Sequence, residues 1–199
     1  EELYPDMPKN YMAGWGYMLL TYGLPRRGAG SYTIYAKAID AEGNETILGS
    51  KTIEVDNTKA KKPFGALETP GQGGPASGKK FMNWGWALTP KPNRIPSDGK
   101  TINVYVDGKK VGNPVYNIYR KDIASLFPEY VNCKGAMGYF YLDTTAFSNG
   151  VHTIQWNAVD DNGNMDGIGS RFFIIENEDT SESERTASRE PVNGARGTK

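Results

Sequence analysis

Two side chains of this 199-residue sequence could act as a nucleophile or as a general base near neutral pH, Cys133 and His152, and each residue type occurs once. A catalytic site needs a set of such groups, for example a nucleophile beside a base that a third group orients. His152 stands in a strand-like segment where a ring fills a half-buried position, and Cys133 is expected to pack as a small apolar residue. We therefore predict no catalytic residues, and a protein that is not an enzyme.

Carboxylates offer two other kinds of chemistry, glycoside hydrolysis and metal binding. Most aspartates here stand in turns, where an aspartate typically accepts hydrogen bonds from its own backbone; they are Asp40, Asp107, Asp143, Asp160, Asp161 and Asp166. The segment DDNGNMDG offers four oxygen ligands of the kind that Ca²⁺ prefers, from Asp160, Asn162, Asn164 and Asp166. Its glycine is not where an EF-hand loop needs it, and no glutamate closes the loop. We interpret the segment as a hairpin turn and keep Ca²⁺ as the alternative; no other cofactor is predicted.

Aromatic side chains could bind sugars by stacking on pyranose rings. The sequence suggests four candidates for such a glycan site, one of which alternates away from the apolar face of its strand while the others lie in a loop-rich stretch: Tyr105, Tyr116, Tyr119 and Tyr130. Exposed tyrosine is also common on sheet surfaces, so the glycan site stays an alternative. Trp84 and Trp86 share a face with Leu88, which favours burial in the core.

A repeat organises the chain that must position these residues. The segment GSYTIYAKAIDAEGNETILGSK begins at Gly30, and GVHTIQWNAVDDNGNMDGIGSR begins at Gly150, with Gly, Thr-Ile, Ala, Asp, Gly-Asn and Gly-Ser at the same offsets. The match extends upstream with small gaps, since Gly16-Tyr17 aligns with Gly138-Tyr139. A spacing of about 120 residues is that of a whole domain rather than of a solenoid repeat.

The repeat predicts the domain organisation. Residues 63–177 are expected to form one complete domain, and residues 1–57 the C-terminal part of a first copy, with a linker at 58–62. The alternative is that 1–57 forms a small hairpin unit docked on the second domain. Because the chain begins with Glu1, we interpret the sequence as a fragment. Residues 178–199 are rich in Ser, Glu and Arg and are predicted to be a disordered tail or linker.

Alternating apolar residues predict β-strands. Ile102, Val104 and Val106 are expected on one face of a strand that ends in the turn Asp107-Gly108. Ile154, Trp156 and Ala158 share a face in the same way, as do Ile34, Ala36 and Ala38 in the first copy. One helical turn is predicted around Ile123, with Asp122 as its cap and Leu126 and Phe127 facing inward. Short strands at regular spacing predict an all-β, antiparallel sandwich with Greek-key connections.

Composition and charge exclude several classes of protein. The sequence has 23 Lys and Arg against 23 Asp and Glu, so no basic excess points to nucleic acid. No stretch has the roughly 18 apolar residues that membrane insertion as a helix requires. The single cysteine rules out an internal disulfide and leaves the compartment undecided.

Several motifs together resemble the bacterial Ig-like domains of secreted and cell-surface proteins: PFGALETPGQGGPASG, WGWAL, VYVDGKKVG, GYFYLDTTAFSNGVHTI and AVDDNGN. The resemblance covers about residues 63–177, and residues 4–57 as the latter half of the family. It implies an Ig-like fold and an extracellular or cell-surface location, but no activity.

We therefore expect a non-catalytic tandem module that acts as a spacer, display or adhesion unit. Its expected partners are neighbouring domains of the same polypeptide, and also a polysaccharide or another surface protein. The alternative is a carbohydrate-binding module or an accessory domain of an extracellular enzyme.

Overall fold

A computed structural model of the chain describes residues 19–178. These residues form a single short helix, α1 (Lys121–Leu126), and eleven strands: β1 (Ala29–Ile39), β2 (Glu45–Asp56), β3 (Phe64–Thr69), β4 (Pro75–Ala76), β5 (Phe81–Leu88), β6 (Ile102–Val106), β7 (Lys109–Gly112), β8 (Val115–Ile118), β9 (Met137–Leu142), β10 (Gly150–Val159) and β11 (Met165–Ile175). Single 3-10 turns occur at Thr21–Gly23, Pro25–Arg27, Asn57–Lys59, Cys133–Gly135 and Thr144–Ala146. The upstream repeat match at Gly16-Tyr17 and the predicted tail beyond residue 178 lie outside the described residues.

Nine of these strands form two sheets that pack face to face. One sheet has the order β4-β11-β10-β6-β7 and the other β3-β5-β9-β8. Among the described residues, every strand pair is antiparallel except β4 with β11. The chain crosses between the sheets several times, as Greek-key sandwiches do. The predicted all-β Ig-like sandwich is thus confirmed, and β1 pairs with β2 as a separate two-stranded hairpin.

The core lies between the inner faces of the two sheets. Its centre is Trp156, which is 1% exposed and whose indole Nε1 donates a 2.6 Å hydrogen bond to Asn83 Oδ1. This bond satisfies the one polar atom of the indole in an apolar interior, where leaving it unpaired would be costly. The predicted alternation is confirmed, because the following residues are all buried: Leu67, Ala87, Ile102, Val104, Val106, Leu142, Ile154, Trp156, Ala158, Ile168, Phe173 and Ile175.

A second apolar cluster covers part of the outer face of the four-stranded sheet. Trp84, Trp86 and Leu88 do share a face of β5, but it is this outer face, because Asn83, Gly85 and Ala87 point into the sandwich. Helix α1 and the segment that follows it bury Trp86 and Leu88. Trp84 stays partly exposed, so the prediction that it lies in the core is wrong.

The predicted helical turn exists, with two differences in detail. Its N-cap residue is Arg120, and Asp122 lies in the first turn, where its carboxylate accepts hydrogen bonds from the Arg120 guanidinium. Ile123 and Phe127 are buried as predicted, at 3% and 4% exposure, whereas Leu126 is 57% exposed. A helix of little more than one turn has room for only one inward row of side chains, so Leu126 points to solvent.

The two repeat segments fold into the same hairpin. In the first hairpin (β1–β2), Gly30 pairs with Val55 and Ala36 with Gly49, and a bulge follows Ala36. In the second hairpin (β10–β11), residues at the corresponding positions pair in the same way, and the bulge follows Trp156. Both turns open with an aspartate and contain a glycine at positive φ, 87° at Gly43 and 80° at Gly163, which only glycine adopts without strain. The local sequence therefore sets the same register twice.

Candidate functional site

The four predicted glycan-binding tyrosines do not lie on one surface. Tyr116 is 6% exposed and points into the core, where its hydroxyl donates a 2.7 Å hydrogen bond to the Ala87 carbonyl. Burial raises the pKa of Tyr116, consistent with a hydroxyl that stays protonated. Tyr130 packs beside Phe127, and Tyr105 lies half-buried on the opposite sheet. Tyr119 is 61% exposed, so of the four it has the most accessible ring.

The predicted metal ligands form a hydrogen-bonded turn. The carboxylate of Asp160 accepts hydrogen bonds from the backbone N–H of Asn162 and of Asn164, at 3.0 and 2.9 Å, and from the Asn164 side chain. Asp166 lies on β11 and accepts from the backbone of Gly167. Within residues 19–178, no three His, Cys, Asp or Glu side chains are grouped so that they could hold a metal ion. The Ca²⁺ site stays a prediction.

Asp160 also ties a long loop to this turn. Its Oδ2 accepts from the hydroxyl of Thr89 at 2.9 Å and from the side-chain amide of Asn93 at 3.0 Å. Burial alone would raise its pKa, but the hydrogen bonds from Asn164, Thr89 and Asn93 outweigh it and hold the pKa of Asp160 below its usual value. The carboxylate is therefore a structural acceptor that stays ionised at neutral pH.

The single histidine is likewise engaged in structural contacts. Nδ1 of His152 lies 2.6 Å from Asp107 Oδ2, and Nε2 lies 2.8 Å from the Ser148 carbonyl oxygen. The ring also packs edge-on against Phe147. Cys133 is half-buried, and its thiol lies 3.7 Å from the Pro128 carbonyl oxygen. His152 and Cys133 therefore have structural surroundings and do not form a nucleophile–base pair.

An aromatic cluster joins the first hairpin to the sandwich. We call it the joint cluster, and it consists of Tyr22, Phe64, Trp86, Phe127 and Tyr130. The rings of Tyr22 and Phe64 are stacked with centroids 3.7 Å apart, and Phe64 makes edge-to-face contacts with Phe127 and Tyr130 at 5.5 and 5.1 Å. Tyr22 is 8% exposed, so this residue, which precedes the first hairpin, is buried against the sandwich.

Polar contacts reinforce the same junction. The guanidinium of Arg27 donates to the Leu126 carbonyl, lies 3.4 Å from a Glu129 carboxylate oxygen, and sits 5.0 Å from the centre of the Phe127 ring. On the other side, Asn57 accepts from the Thr21 hydroxyl at 3.1 Å and donates to the Arg27 carbonyl at 2.9 Å. The residues before and after the first hairpin are thus bonded to each other, and Arg27 is bonded to the sandwich.

The inner face of the first hairpin is bare over much of its area. Ile34 is 39% exposed and Leu48 is 58% exposed, whereas their counterparts Ile154 and Ile168 are each 0% exposed. The second hairpin is covered by the four-stranded sheet, for which the first hairpin has no equivalent among residues 19–178. A contiguous exposed apolar face on a soluble protein commonly marks an interaction surface.

A second exposed apolar surface was not anticipated from the sequence. We call it the outer-face patch: Met82 and Trp84 on β5, Val115 on β8, and Tyr139 and Tyr141 on β9. The alternation of MGYFYL places Tyr139 and Tyr141 on one face, and this signal was available in the sequence. What the sequence did not show is which face of the sheet is covered.

Comparisons with known proteins give no family. No family model matches the chain, and no curated protein matches it. Among solved structures, it is similar to the fibronectin(III)-like modules of Clostridium thermocellum CbhA, with TM-score 0.36 and 17% identity over 84% of this chain and 69% of that one. It is also similar to an endo-beta-1,4-mannanase from Thermotoga petrophila, with TM-score 0.38 and 16% identity, covering 59% of this chain and 20% of the mannanase.

A third similar structure is the Bacteroides ovatus mixed-linkage glucan utilization protein SGBP-B, in complex with a mixed-linkage heptasaccharide. It has TM-score 0.31 and 15% identity, over 74% of this chain and 30% of SGBP-B. The fold assignment made above depends on the strand pairing of this chain and not on these similarities. Between residues 19 and 178 there is no helix long and apolar enough to span a bilayer.

Proposed function

We propose that this chain is a non-catalytic tandem Ig-like module that serves as a rigid spacer or display unit of a secreted or cell-surface protein. In this proposal, residues 1–57 are the C-terminal part of a first sandwich and residues 63–177 are a complete second one. The observation that carries it is the pair of hairpins with identical register, one buried under a sheet and one bare. The first hairpin has the sequence pattern and register of a sandwich hairpin, but its apolar face is only half covered. This is best explained if the hairpin is part of a second domain.

The junction supports a stiff connection rather than a loose one. A short polar linker such as residues 58–62 commonly allows some hinge motion. In the structure, Asn57–Lys59 forms a 3-10 turn and Ala60 packs against the joint cluster. Bending at this point would expose Tyr22 and Phe64, and burying one large apolar side chain is worth about 1.5–3 kcal/mol. The joint cluster therefore holds one orientation between hairpin and sandwich.

A distance measurement across the junction tests the rigid spacer. Spin labels on Glu42→Cys, at the tip of the first hairpin, and on Lys80→Cys, in an exposed turn of the sandwich, are placed in the full chain carrying Cys133→Ser. We expect a narrow distance distribution that becomes at least twofold broader with Tyr22→Ala. Tyr35→Ala is the matched control, because Tyr35 is 63% exposed on the hairpin. An equally broad distribution before and after Tyr22→Ala would contradict the proposal.

The alternative function is a carbohydrate-binding or accessory domain attached to an extracellular enzyme. The specific observation in its favour is the outer-face patch, which places two tyrosines and a tryptophan side by side on an uncovered sheet face. A spacer domain can also carry such a site, so the two functions are compatible and their tests are independent.

A further inference from the structure

The outer face of the four-stranded sheet is divided into a covered half and an open half. Towards one end of β5, Trp86 and Leu88 are covered by helix α1 and by the other side chains of the joint cluster, and Leu88 is 0% exposed. Towards the other end, Met82 is 43% exposed and its cross-strand partner Tyr141 is 48% exposed. The sheet is therefore an aromatic surface of which the open half has no covering among the described residues.

The open half carries two adjacent rows of side chains. Trp84 on β5, Tyr139 on β9 and Val115 on β8 lie opposite one another in one row, and Met82 and Tyr141 form the next row. Neighbouring strands are about 4.8 Å apart, so the first row spans roughly 10 Å across three strands. The rings of Tyr139 and Tyr141 are in contact, with centroids 5.2 Å apart. The result is a flat surface rather than a pocket.

A fixed group of charges borders this surface. The guanidinium of Arg120 lies 5.1 Å from the centre of the Trp84 ring and bonds to the carboxylates of Glu68 and Asp122, the latter at 2.8 Å. Hydrogen bonds to Asp122 raise the pKa of Arg120 further above its already high value. Two carboxylates against one guanidinium give no surplus of positive charge, which disfavours phosphate-rich ligands such as nucleic acid. The same groups can exchange hydrogen bonds with neutral hydroxyls.

The size of the patch also limits what it can bind. An aromatic side chain buries about 150–250 Å² in total, and these side chains are at most about half exposed, so the five offer on the order of 300–400 Å². A specific protein interface needs about 800 Å² from each partner. An extended ligand of small cross-section, with apolar ring faces and neutral hydroxyl edges, fits an area of this size and chemistry.

We propose that the outer-face patch is a binding site for an extended, neutral, β-linked polysaccharide. Sugar rings pack on Tyr139, Tyr141 and the exposed side of Trp84, and Glu68 and Arg120 hydrogen-bond with their hydroxyl groups. The strands hold the aromatic side chains in place before the ligand arrives, so little conformational entropy is lost on binding.

The test is affinity electrophoresis of the full chain in gels that contain hydroxyethyl cellulose, a soluble β-linked glucan. We expect retarded migration, and at least a tenfold loss of affinity in Tyr141→Ala and Tyr139→Ala. Tyr35→Ala is the control, since it removes a tyrosine that is 63% exposed on the first hairpin, outside the outer-face patch. Trp84→Phe keeps a ring at its position, so binding should persist while the fluorescence change on binding shrinks. Near-ultraviolet circular dichroism checks that each variant keeps the fold.

Two results would overturn the proposal. One is unretarded migration of the wild-type chain in hydroxyethyl cellulose and also in galactomannan, a second neutral β-linked polymer. The other is equal retardation of Tyr141→Ala, Tyr35→Ala and the wild type, which would place binding elsewhere or make it non-specific. Neither result bears on the rigid spacer, which depends on the joint cluster.

Discussion

The two hairpins have the same register and opposite surroundings. The face that carries Ile154 and Trp156 in the second hairpin is sealed by the four-stranded sheet, whereas the face that carries Ile34 and Ala36 in the first is largely open. Their turns are closed by the same hydrogen bonds, since Asp40 and Asp160 each accept from backbone N–H groups two and four residues on. The turn and the bulge therefore set the same register in both hairpins, whether or not a second sheet covers them.

What distinguishes the hairpins is the set of contacts that come from elsewhere in the chain. Arg171 on β11 donates two hydrogen bonds to the Leu67 carbonyl on β3, at 2.7 and 3.1 Å. Its counterpart Lys51 has no such strand to reach within residues 19–178 and is exposed. The local sequence thus determines the pairing of the strands, whereas long-range contacts determine which side chains are buried. The contribution of each apolar residue to the free energy of unfolding depends on that burial.

The largest expected difference between the hairpins comes from truncating a matched isoleucine. Ile154→Ala removes a fully buried side chain from the core, and such truncations cost about 2–5 kcal/mol of unfolding free energy. Ile34→Ala, at the equivalent position with 39% exposure, should change it by less than about 1 kcal/mol. Urea unfolding followed by tryptophan fluorescence measures both. A similar loss in the two variants would mean that the first hairpin is as well covered as the second.

The sequence predicted the hairpins and the inner core well because both depend on short-range patterns. Alternation in INVYV and HTIQWNAV assigned the buried face of β6 and β10, and positive φ values of 49° and 73° confirm the turn at Asp107-Gly108. These features need only neighbours in the chain, so one sequence is enough to find them. Gly85, between the two tryptophans of WGW, allows a close backbone approach, since a Cβ there would lie 2.5 Å from the Ala66 carbonyl oxygen.

The accessibility of the candidate residues was harder to predict from the sequence, because it depends on distant segments. Tyr116 and Tyr130 stand in a loop-rich stretch, yet the fold turns the first into the core and the second into the joint cluster. Trp84 and Trp86 are two residues apart on one face, and contacts with distant segments, such as helix α1 and the Phe64 ring, decide which of them is covered. The contact between Tyr22 and Phe64 joins residues 42 positions apart and has no local signal.

A smaller difference is expected between the two turn aspartates, and it depends on pH. The pKa of Asp160 is lowered in the folded state, because its hydrogen bonds outweigh the opposing effect of burial. Such a group contributes stability above its unfolded pKa of about 3.9, and this contribution is lost as pH falls through the folded value. Asp160→Asn should therefore cost about 1–2 kcal/mol at pH 7, since it removes hydrogen bonds to a charged acceptor, and should flatten the loss of stability on acidification.

Urea unfolding at pH 7, 5 and 3 measures this effect, with Asp40→Asn as the control. Asp40 accepts only from residues of its own turn and is fully exposed, so its substitution should leave the transition of the sandwich where it is. If Asp40→Asn destabilised the sandwich as much as Asp160→Asn does, the bonds to Thr89 and Asn93 would contribute nothing beyond the turn itself.

The smallest effect is expected at the position where the second hairpin has His152 and the first has Tyr32. Burial lowers the pKa of His152, but the bonds to Asp107 and to the Ser148 carbonyl outweigh it and raise the pKa above its usual value. A raised pKa means that the stabilisation is complete below the unfolded value of about 6.5 and is lost as pH rises through the folded one. Because Asp107 is partly exposed, the contribution should stay below about 1 kcal/mol.

His152→Tyr, which installs the residue of the first hairpin, should make the free energy of unfolding independent of pH between 6 and 9. Asp107→Asn should reduce the dependence of the free energy of unfolding on pH while the His152 ring stays in place. A wild-type stability that is already flat across this range would show that the pair of His152 and Asp107 is held by packing alone.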